Sequence, residues 1–485
     1  MARRTNLCFL SCLFLVTFSI QAFGMKDTSS FLFRTLSFSA EENNRHFENL
    51  ISSTDKGDFN EANTYSDLLT ASIEADRRID VLTFARVLTN AAIINTRLDQ
   101  LEPALVLLNK AIELVDSESQ FHEDIYPLMM IKAEILKEQN KLDQATDLLR
   151  RAQHITHRID GVYSEQQIAA VDLISEISTA QKKHLEADRQ ELFNLRIGEH
   201  VLGVESIELV PRLEKVGAHF RRRGIEMPFV NNAVFSESPA RSKKDRADVF
   251  IESLRHYNRS LTIQENNYGF NDLRLINTLK SIAYTRMVQR SGRRHAEEAL
   301  TRVVSIIASS PITDISEHAI ALIELADAYT INGNKTAAET YLKAWDLLSQ
   351  SQDLQKLRKQ IFNSTTQIFP STRPYNLMQR RPSNVQIGEQ IYVNAMYSVR
   401  PNGRASNINL LESNAPAAQK KQLRLWIRGS RFRPRIEDGV IVTTEGLTLK
   451  QTFHVIANKV PPTSEEDQSK TLGKLEKEEG ENKEG

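Results

Sequence analysis

Small residues recur at a nearly fixed interval among the apolar positions of the chain. The first series is separated by 42, 41 and 42 positions and consists of Ala62, Ala104, Ala145 and Ala187. A second series precedes the last three of these by twelve positions and consists of Ala92, Ala133 and Ser175. Two helices approach closely only where the side chains at their contact are small. The pattern therefore predicts repeated helical hairpins whose paired helices touch at these residues.

The same interval predicts about seven hairpins and a covering helix over residues 40–368. The first hairpin begins near Ala40. The other predicted hairpins without an insertion cover about 81–116, 124–159, 165–202, 272–309 and 314–350. Small residues continue through the later hairpins at Gly217, Ala296, Ala326 and Ala338. Apolar positions from Leu354 to Phe362 predict the final helix, which covers the last hairpin as the end of a repeat array requires.

One hairpin, the fifth, is predicted to carry an insertion between its two helices. Gly161 and Gly203 are 42 positions apart, whereas Gly269 follows after 66, which is an excess of 24. Gly217 continues the first-helix series, so the excess falls after it. We expect an inserted loop at 224–244, because its prolines oppose a helix. Loops of this length are more often functional or disordered than simple connectors.

The segment from Ala85 to Ala111 resembles a tetratricopeptide (TPR) repeat. The small and large positions of that pattern are occupied by Leu88, Ala91, Ala92, Ala104, Leu108 and Ala111. The usual unit has about 34 residues, and the longer interval here resembles the extended TPR variant of kinesin light chains. This resemblance implies a mainly α protein, a TPR-like right-handed α-solenoid whose concave surface binds a protein or peptide.

Beyond a proline-containing linker at 369–389, the pattern changes from helical to alternating. Strands are predicted at Ile391–Val399, Ala405–Glu412 and Leu447–Val455, with a short helix at 417–428. Asn402 and Gly403 predict a tight hairpin turn, because both residues readily adopt positive φ. This order of elements predicts a separate small α+β domain at 390–456.

That domain resembles the TonB C-terminal domain. The residues that carry the resemblance are Asn402, Gly403, Phe432, Pro434, Gly439 and Phe453, together with a helix that contains Leu425 and Trp426. In the TonB family this domain meets outer-membrane transporters by adding a strand. The resemblance therefore implies an exposed sheet edge near Leu447–Val455 that pairs with an extended peptide.

The first residues have the pattern of a secretory signal peptide, predicted at 1–24. Two arginines precede an apolar run at 7–18, and cleavage is expected after Ala22 or Gly24. An uncleaved membrane anchor is the alternative, although the run is shorter than the roughly 20 residues of a spanning helix. At the other end, 464–485 is rich in glutamate and lysine and is predicted to be disordered.

Composition and motifs favour binding over catalysis. The chain has 62 basic and 62 acidic side chains, so no overall field attracts nucleic acid. Both cysteines, Cys8 and Cys12, fall within the predicted signal peptide, which excludes disulfides and thiol chemistry from the mature chain. His154 and His157 share a helix face but lack a third ligand at helical spacing, so no metal site is expected. Phosphate-loop and hydrolase motifs are absent, and neither a cofactor nor an enzymatic activity is expected.

The densest basic group lies in the C-terminal domain and consists of Arg428, Arg431, Arg433 and Arg435. Joined by Trp426 and Phe432, these arginines have a superficial likeness to a nucleic-acid site. Alternate arginines on a strand with an inward Phe432 are more typical of one solvated face. We therefore interpret them as solvating charge.

Together these patterns predict a periplasmic scaffold protein. Its expected partner is a protein or peptide, with an outer-membrane transporter or another envelope protein as candidates. If the signal peptide is cleaved, contact with membranes is expected only through such partners. Two alternatives stay open. One is a TonB-type energy transducer anchored in the inner membrane, and the other is an accessory to an envelope enzyme.

Overall fold

A computed structural model describes residues 28–76, 78–227, 239–289, 292–369, 377–378, 386 and 388–455. The described residues form two compact units that divide between Gln289 and Gly292. The predicted signal peptide, 1–24, and the predicted disordered tail, 464–485, lie outside the described residues.

The first unit consists of helical hairpins that follow the predicted repeat. Its helices are α1 (Glu41–Lys56), α2 (Phe59–Ala75), α3 (Val81–Arg97), α4 (Leu101–Glu118), α5 (Ile125–Glu138), α6 (Leu142–Asp160), α7 (Ile168–Ala180), α8 (His184–Leu202), α9 (Val210–Glu226), α10 (Pro239–Tyr268) and α11 (Ile276–Gln289). Each odd-numbered helix up to α9 packs against the helix that follows it. The same turn closes three of these hairpins, since Asp99, Asn140 and Lys182 all have φ near 60°.

Connections between hairpins depend on glycine. Gly161 and Gly203 both have φ of 91°, and Gly269 has φ of 85°. This region of backbone conformation is open to glycine at little cost and strains other residues. The glycines that mark the repeat in the sequence therefore mark the points where the chain turns from one hairpin to the next.

The fifth hairpin differs from the sequence-based expectation at both ends of its insertion. Helix α9 continues to Glu226 and α10 begins at Pro239, so the two ends of the predicted loop, 224–244, are helical. Proline is tolerated at the first position of a helix because the amide it lacks has no partner there. The remaining part, 228–238, lies outside the described residues.

The second unit contains the described helices after Gly292 and the described strands. They are α12 (Arg293–Ser309), α13 (Ile315–Asn332), α14 (Ala337–Leu347), α15 (Gln352–Phe362), β1 (Thr366–Phe369), β2 (Leu377–Met378), β3 (Ile391–Val399), β4 (Ala405–Ser413), α16 (Ala417–Gly429), β5 (Arg431–Arg433), β6 (Arg435–Glu437), β7 (Val440–Val442) and β8 (Thr444–Val455). The main sheet has the order β2-β8-β3-β4, while β1 pairs with β5 and β6 with β7. Strands β1 and β2 thus extend into the predicted linker, 369–389.

Two separate cores support the second unit. Helix α16 covers the sheet through Leu423, Trp426 and Ile427, which pack with Val393 and Phe453. The other core joins α13, α14 and α15, and Ile436 of β6 is buried within it. The small C-terminal domain therefore packs directly on the last helical hairpin.

These elements confirm the predicted fold class, a mainly α, TPR-like α-solenoid followed by a small α+β region. Within the described ranges, the helices are too short or too polar to span a membrane.

Candidate polypeptide-binding face

The first helices of three successive hairpins carry an extended stretch of the chain itself. This N-terminal segment, Thr28–Phe38, begins with a 3-10 turn at Thr28–Phe31 and continues without regular secondary structure. It lies on the surface formed by Asn44 of α1, Arg86 and Asn90 of α3 and Tyr126 of α5, which we call the first-helix face. All of these residues belong to the first unit.

Asn90 binds the main chain of the segment in both directions. The Phe33 amide donates to Asn90 Oδ1 at 2.9 Å, and Asn90 Nδ2 donates to the Phe33 carbonyl at 2.9 Å. Asn90 is only 1% exposed, so these bonds satisfy an amide that burial would otherwise penalise. Asparagine suits this task because its side chain offers a donor and an acceptor side by side.

A second asparagine repeats the arrangement five residues further along the segment. The Phe38 amide donates to Asn44 Oδ1 at 2.8 Å, and Asn44 Nδ2 donates to the Phe38 carbonyl at 2.7 Å. Asn44 and Asn90 lie on the first helices of different hairpins. Two points of the main chain are therefore fixed without reference to side-chain identity.

Apolar side chains of the segment fill spaces between the hairpins. Leu32 is 7% exposed and joins the core around Ala92 and Ala104. Phe31 meets the Tyr126 ring edge-on at 6.3 Å, and Phe38 meets the Phe47 ring at 5.9 Å. These side chains give the face a preference for apolar residues at defined positions.

Arg86 and Tyr126 are themselves held in place by the helices. The Arg86 guanidinium lies 5.5 Å from the centre of the Phe33 ring and donates to buried Asp124 at 2.7 Å. The Tyr126 hydroxyl donates to the Gln166 carbonyl at 2.6 Å, and burial raises the pKa of Tyr126 to about 12. The face is therefore preorganised and uncharged at Tyr126 near neutral pH.

Further along the first helices, the described surface is charged and paired within the protein. Lys215 of α9 binds Asp172 of α7 at 2.5 Å, and Asn194 donates to the same carboxylate at 2.5 Å. Ser175 donates to buried Glu191 at 2.7 Å. These side chains of the later hairpins are therefore engaged in internal polar contacts, in contrast to the apolar contacts of the first-helix face.

The second unit offers a different kind of surface, the edge of β8. Strand β8 pairs with β3 from Thr444 to Phe453. On its other side, β8 pairs with β2 only at His454 and Val455. Among the described strands, none pairs with 444–450 on that side, so this stretch of β8 forms an edge of the described sheet.

The structure places most of the sequence-predicted contact residues inside the hairpins. Those that are buried to 1% exposure or less are Ala62, Ala92, Ala104, Ala133, Ala145, Ala187, Ala296 and Ala326. Gly217 faces α10 so closely that an added Cβ would lie 3.0 Å from the Tyr257 ring. Ala338 is exposed, and its neighbour Ala337 packs against the core of the last hairpin instead.

The residues of the TonB-like motif lie where the C-terminal domain meets the last hairpin or within its sheet. Gly403, with φ of 70°, accepts a hydrogen bond from the Phe432 amide at 2.9 Å, and any side chain there would collide with Thr330. Gly439 lies beside the Trp345 ring and has φ of 78°, a conformation that favours glycine. The rest are Asn402 in the turn, buried Pro434 and Phe453 in the sheet core.

Two further groups from the sequence have structural partners. His157 Nε2 lies 2.5 Å from Gln167 Oε1, and His154 packs beside the Phe121 ring at 6.0 Å. Within the described ranges no cluster of three metal-ligating side chains occurs. The interpretation of the arginine group as solvating charge is wrong for Arg433, which binds Asp327 in a largely buried pair.

Comparisons with known proteins give structural resemblances only. No family model and no curated protein matches the chain. A putative kinesin light chain from Podosopora anserina is 15% identical, and the match covers 50% of this chain and 99% of that chain with a TM-score of 0.34. A tetratricopeptide repeat protein from Parabacteroides merdae is 13% identical, covering 66% and 98% with a TM-score of 0.34.

Proposed function

We propose that this protein is an exported scaffold that binds an extended segment of a protein partner on its first-helix face. The observation that carries the proposal is the pair of asparagines that bind the main chain of the N-terminal segment. Main-chain recognition by a side-chain amide works for any extended peptide. The spaces filled by Phe31, Leu32 and Phe38 add selectivity.

The location is proposed from the sequence at 1–24, whose charged, apolar and small-residue regions are typical of export. In the periplasm, the partners that this face binds are other proteins of the envelope. The open edge of β8 supports a second mode of binding, in which an extended peptide adds a strand to the TonB-like sheet. An anchored energy transducer acting on outer-membrane transporters is the alternative that this edge favours.

Peptide binding by a shortened chain tests the proposal. A chain that starts at Ala40 lacks the N-terminal segment, and a fluorescein-labelled peptide of residues 28–40 serves as the probe. We expect anisotropy titration to show saturable binding that Asn90→Ala weakens at least about tenfold, because about 1.4 kcal/mol of lost hydrogen bonding corresponds to that factor. Asn60→Ala, at an exposed asparagine of α2, is the matched control. Absence of binding, or equal affinities of the two variants, would count against the face as a peptide site.

A further inference from the structure

The N-terminal segment occupies the surface that the proposed function assigns to a partner. We infer that it is a displaceable internal ligand, and that the partner carries an extended segment of the same chemistry. Such a segment has neighbouring apolar residues at the positions of Phe31 and Leu32 and an aromatic residue seven positions after the first. This inference rests on the proposed function.

The segment contacts the helices as a bound peptide does, and its contacts differ from those that a helix makes in the array. Its two main-chain anchors are side-chain amides, and it forms no strand or α-helix with the rest of the chain. Its outward residues Arg34, Thr35 and Ser37 are exposed. The hairpins beneath retain their own packing, as in the contact of Leu50 with Ala62 and Ile94. Release of the segment would uncover the apolar surface that Leu32 and Phe38 cover, and this is the surface that a partner's segment would cover instead.

Side-chain requirements follow from burial. Leu32 and Phe38 are 7% and 9% exposed, so a competing segment must supply apolar side chains there to cover the same surface. Arg34 pairs with Asp55 at 3.0 Å, but both side chains are about half exposed, and such pairs contribute little. A partner therefore needs the apolar pattern but not the arginine.

The tether makes the segment a strong competitor. Only Ser39 and Ala40 separate Phe38 from α1, and short tethers give effective concentrations on the order of millimolar. Suppose that the untethered segment binds with a Kd of about 10 μM and that its effective concentration on the tether is about 1 mM. The first-helix face would then be unoccupied in about one molecule in a hundred, and a partner's apparent affinity would fall about 100-fold. Access to the face is thus set by the balance between the segment and the partner.

The test uses the full chain as it is exported and the labelled 28–40 peptide as the probe. In a release variant, Leu32→Asp and Phe38→Asp remove the buried contacts of the segment. In the matched control, Thr35→Asp and Ser37→Asp add the same charge at exposed positions. We expect the release variant to bind the probe about 10–100 times more tightly than the unaltered chain and the control.

Three results overturn the inference, and they separate it from the proposed function. Equal affinity for all three proteins means that the segment does not compete, although the face binds peptides. Binding by none of them, and none by the chain that starts at Ala40, removes the proposed function as well. If the release variant fails to fold, a protease site is placed at Ser39-Ala40 and cut. We then expect the labelled probe to replace the cut segment on the first-helix face. A cut segment that stays on the face and does not exchange with the probe overturns the inference.

Discussion

The guanidinium of Arg433 on β5 binds both carboxylate oxygens of Asp327 on α13. Nε lies 3.0 Å from Oδ1, and Nη2 lies 2.5 Å from Oδ2. The two side chains are 16% and 17% exposed, and the Tyr341 hydroxyl donates to the same carboxylate at 2.6 Å. Burial lowers the pKa of Arg433, but the Asp327 charge and hydrogen bond outweigh it and raise that pKa above its ordinary value. The pair thus joins the C-terminal domain to the last hairpin.

Removal of one partner should destabilise the second unit. Arg433→Met leaves the Asp327 carboxylate without its cation, and we expect a loss of about 3 kcal/mol in the free energy of unfolding, the lower end of the range for a broken buried pair, because some solvent contact remains. The measurement is denaturant unfolding followed by tryptophan fluorescence. Arg435→Met is the matched control, because Arg435 pairs with Glu437, which is about half exposed, and such pairs contribute at most about 1 kcal/mol.

The double variant Asp327→Leu with Arg433→Met separates charge from packing. Replacement of both charges by apolar side chains of similar volume is often neutral, but Asp327→Leu also removes an acceptor of the buried Tyr341 hydroxyl, so we expect the double variant to recover only part of the lost stability. If the double variant is as unstable as the single one, the pair does not act as a unit. A single variant within about 0.5 kcal/mol of the unaltered protein would show that the contact is unimportant.

Truncation tests how far the helical hairpins depend on the C-terminal domain. The sequence alone predicts that 25–370 folds without 385–485. The structure leads us to expect a local loss of stability in α13–α15 of that fragment. Truncation removes Ile436 from the core of these helices and removes Arg433, the partner of Asp327. Hydrogen exchange with mass spectrometry should show unchanged protection in α3–α8 and reduced protection in α13–α15. Loss of protection in all the helices, or unchanged protection in α13–α15, would contradict this expectation.

Size at the small-residue contacts is the third test. Ala145 is fully buried and packs with Leu149 and Ile177, so Ala145→Phe should overpack the contact and cost about 1–3 kcal/mol or more. Gln144 is exposed one residue earlier, and Gln144→Phe should change stability by no more than about 0.5 kcal/mol. Thermal unfolding measured by circular dichroism compares the two. Equal losses would mean that the repeated small residues do not mark helix contacts.

The edge of β8 gives a prediction for the free protein. Successive amides of a strand point to opposite sides, and over 444–450 the described strands include a partner, β3, on one side only. We expect hydrogen exchange followed by NMR to show alternating slow and fast amides along this stretch. Protection of every amide would mean that the edge is covered and unable to accept a strand.

The sequence predicted local features better than contacts between distant residues. Ala104 and Ala145 were recognisable because small size and a fixed interval leave a trace in the sequence. Ala337 and Ala338 are adjacent and identical in type, so the interval alone could not decide which of them faces the core. The fold class depends on such periodic signals and was predicted correctly.

The candidate site left little trace, because its contacts are long-range and partly made by the main chain. Asn90 meets Phe33 across 57 positions, and a main-chain partner places no demand on the residue type at 33. Asp327 and Arg433 are 106 positions apart. In the sequence, a single aspartate on a helix that is paired in the structure cannot be distinguished from a solvated aspartate, because its partner is not known.

The junction with the last hairpin has a mechanical consequence for the C-terminal sheet. Strand β3 pairs along β8, and Tyr397 of β3 packs against the Phe432 ring at 5.7 Å. Phe432 is next to Arg433, whose two bonds end on α13. Tension exerted on β8 by a bound strand would therefore pass through β3 and β5 into the helix. The two bonds of the ion pair would then share this load.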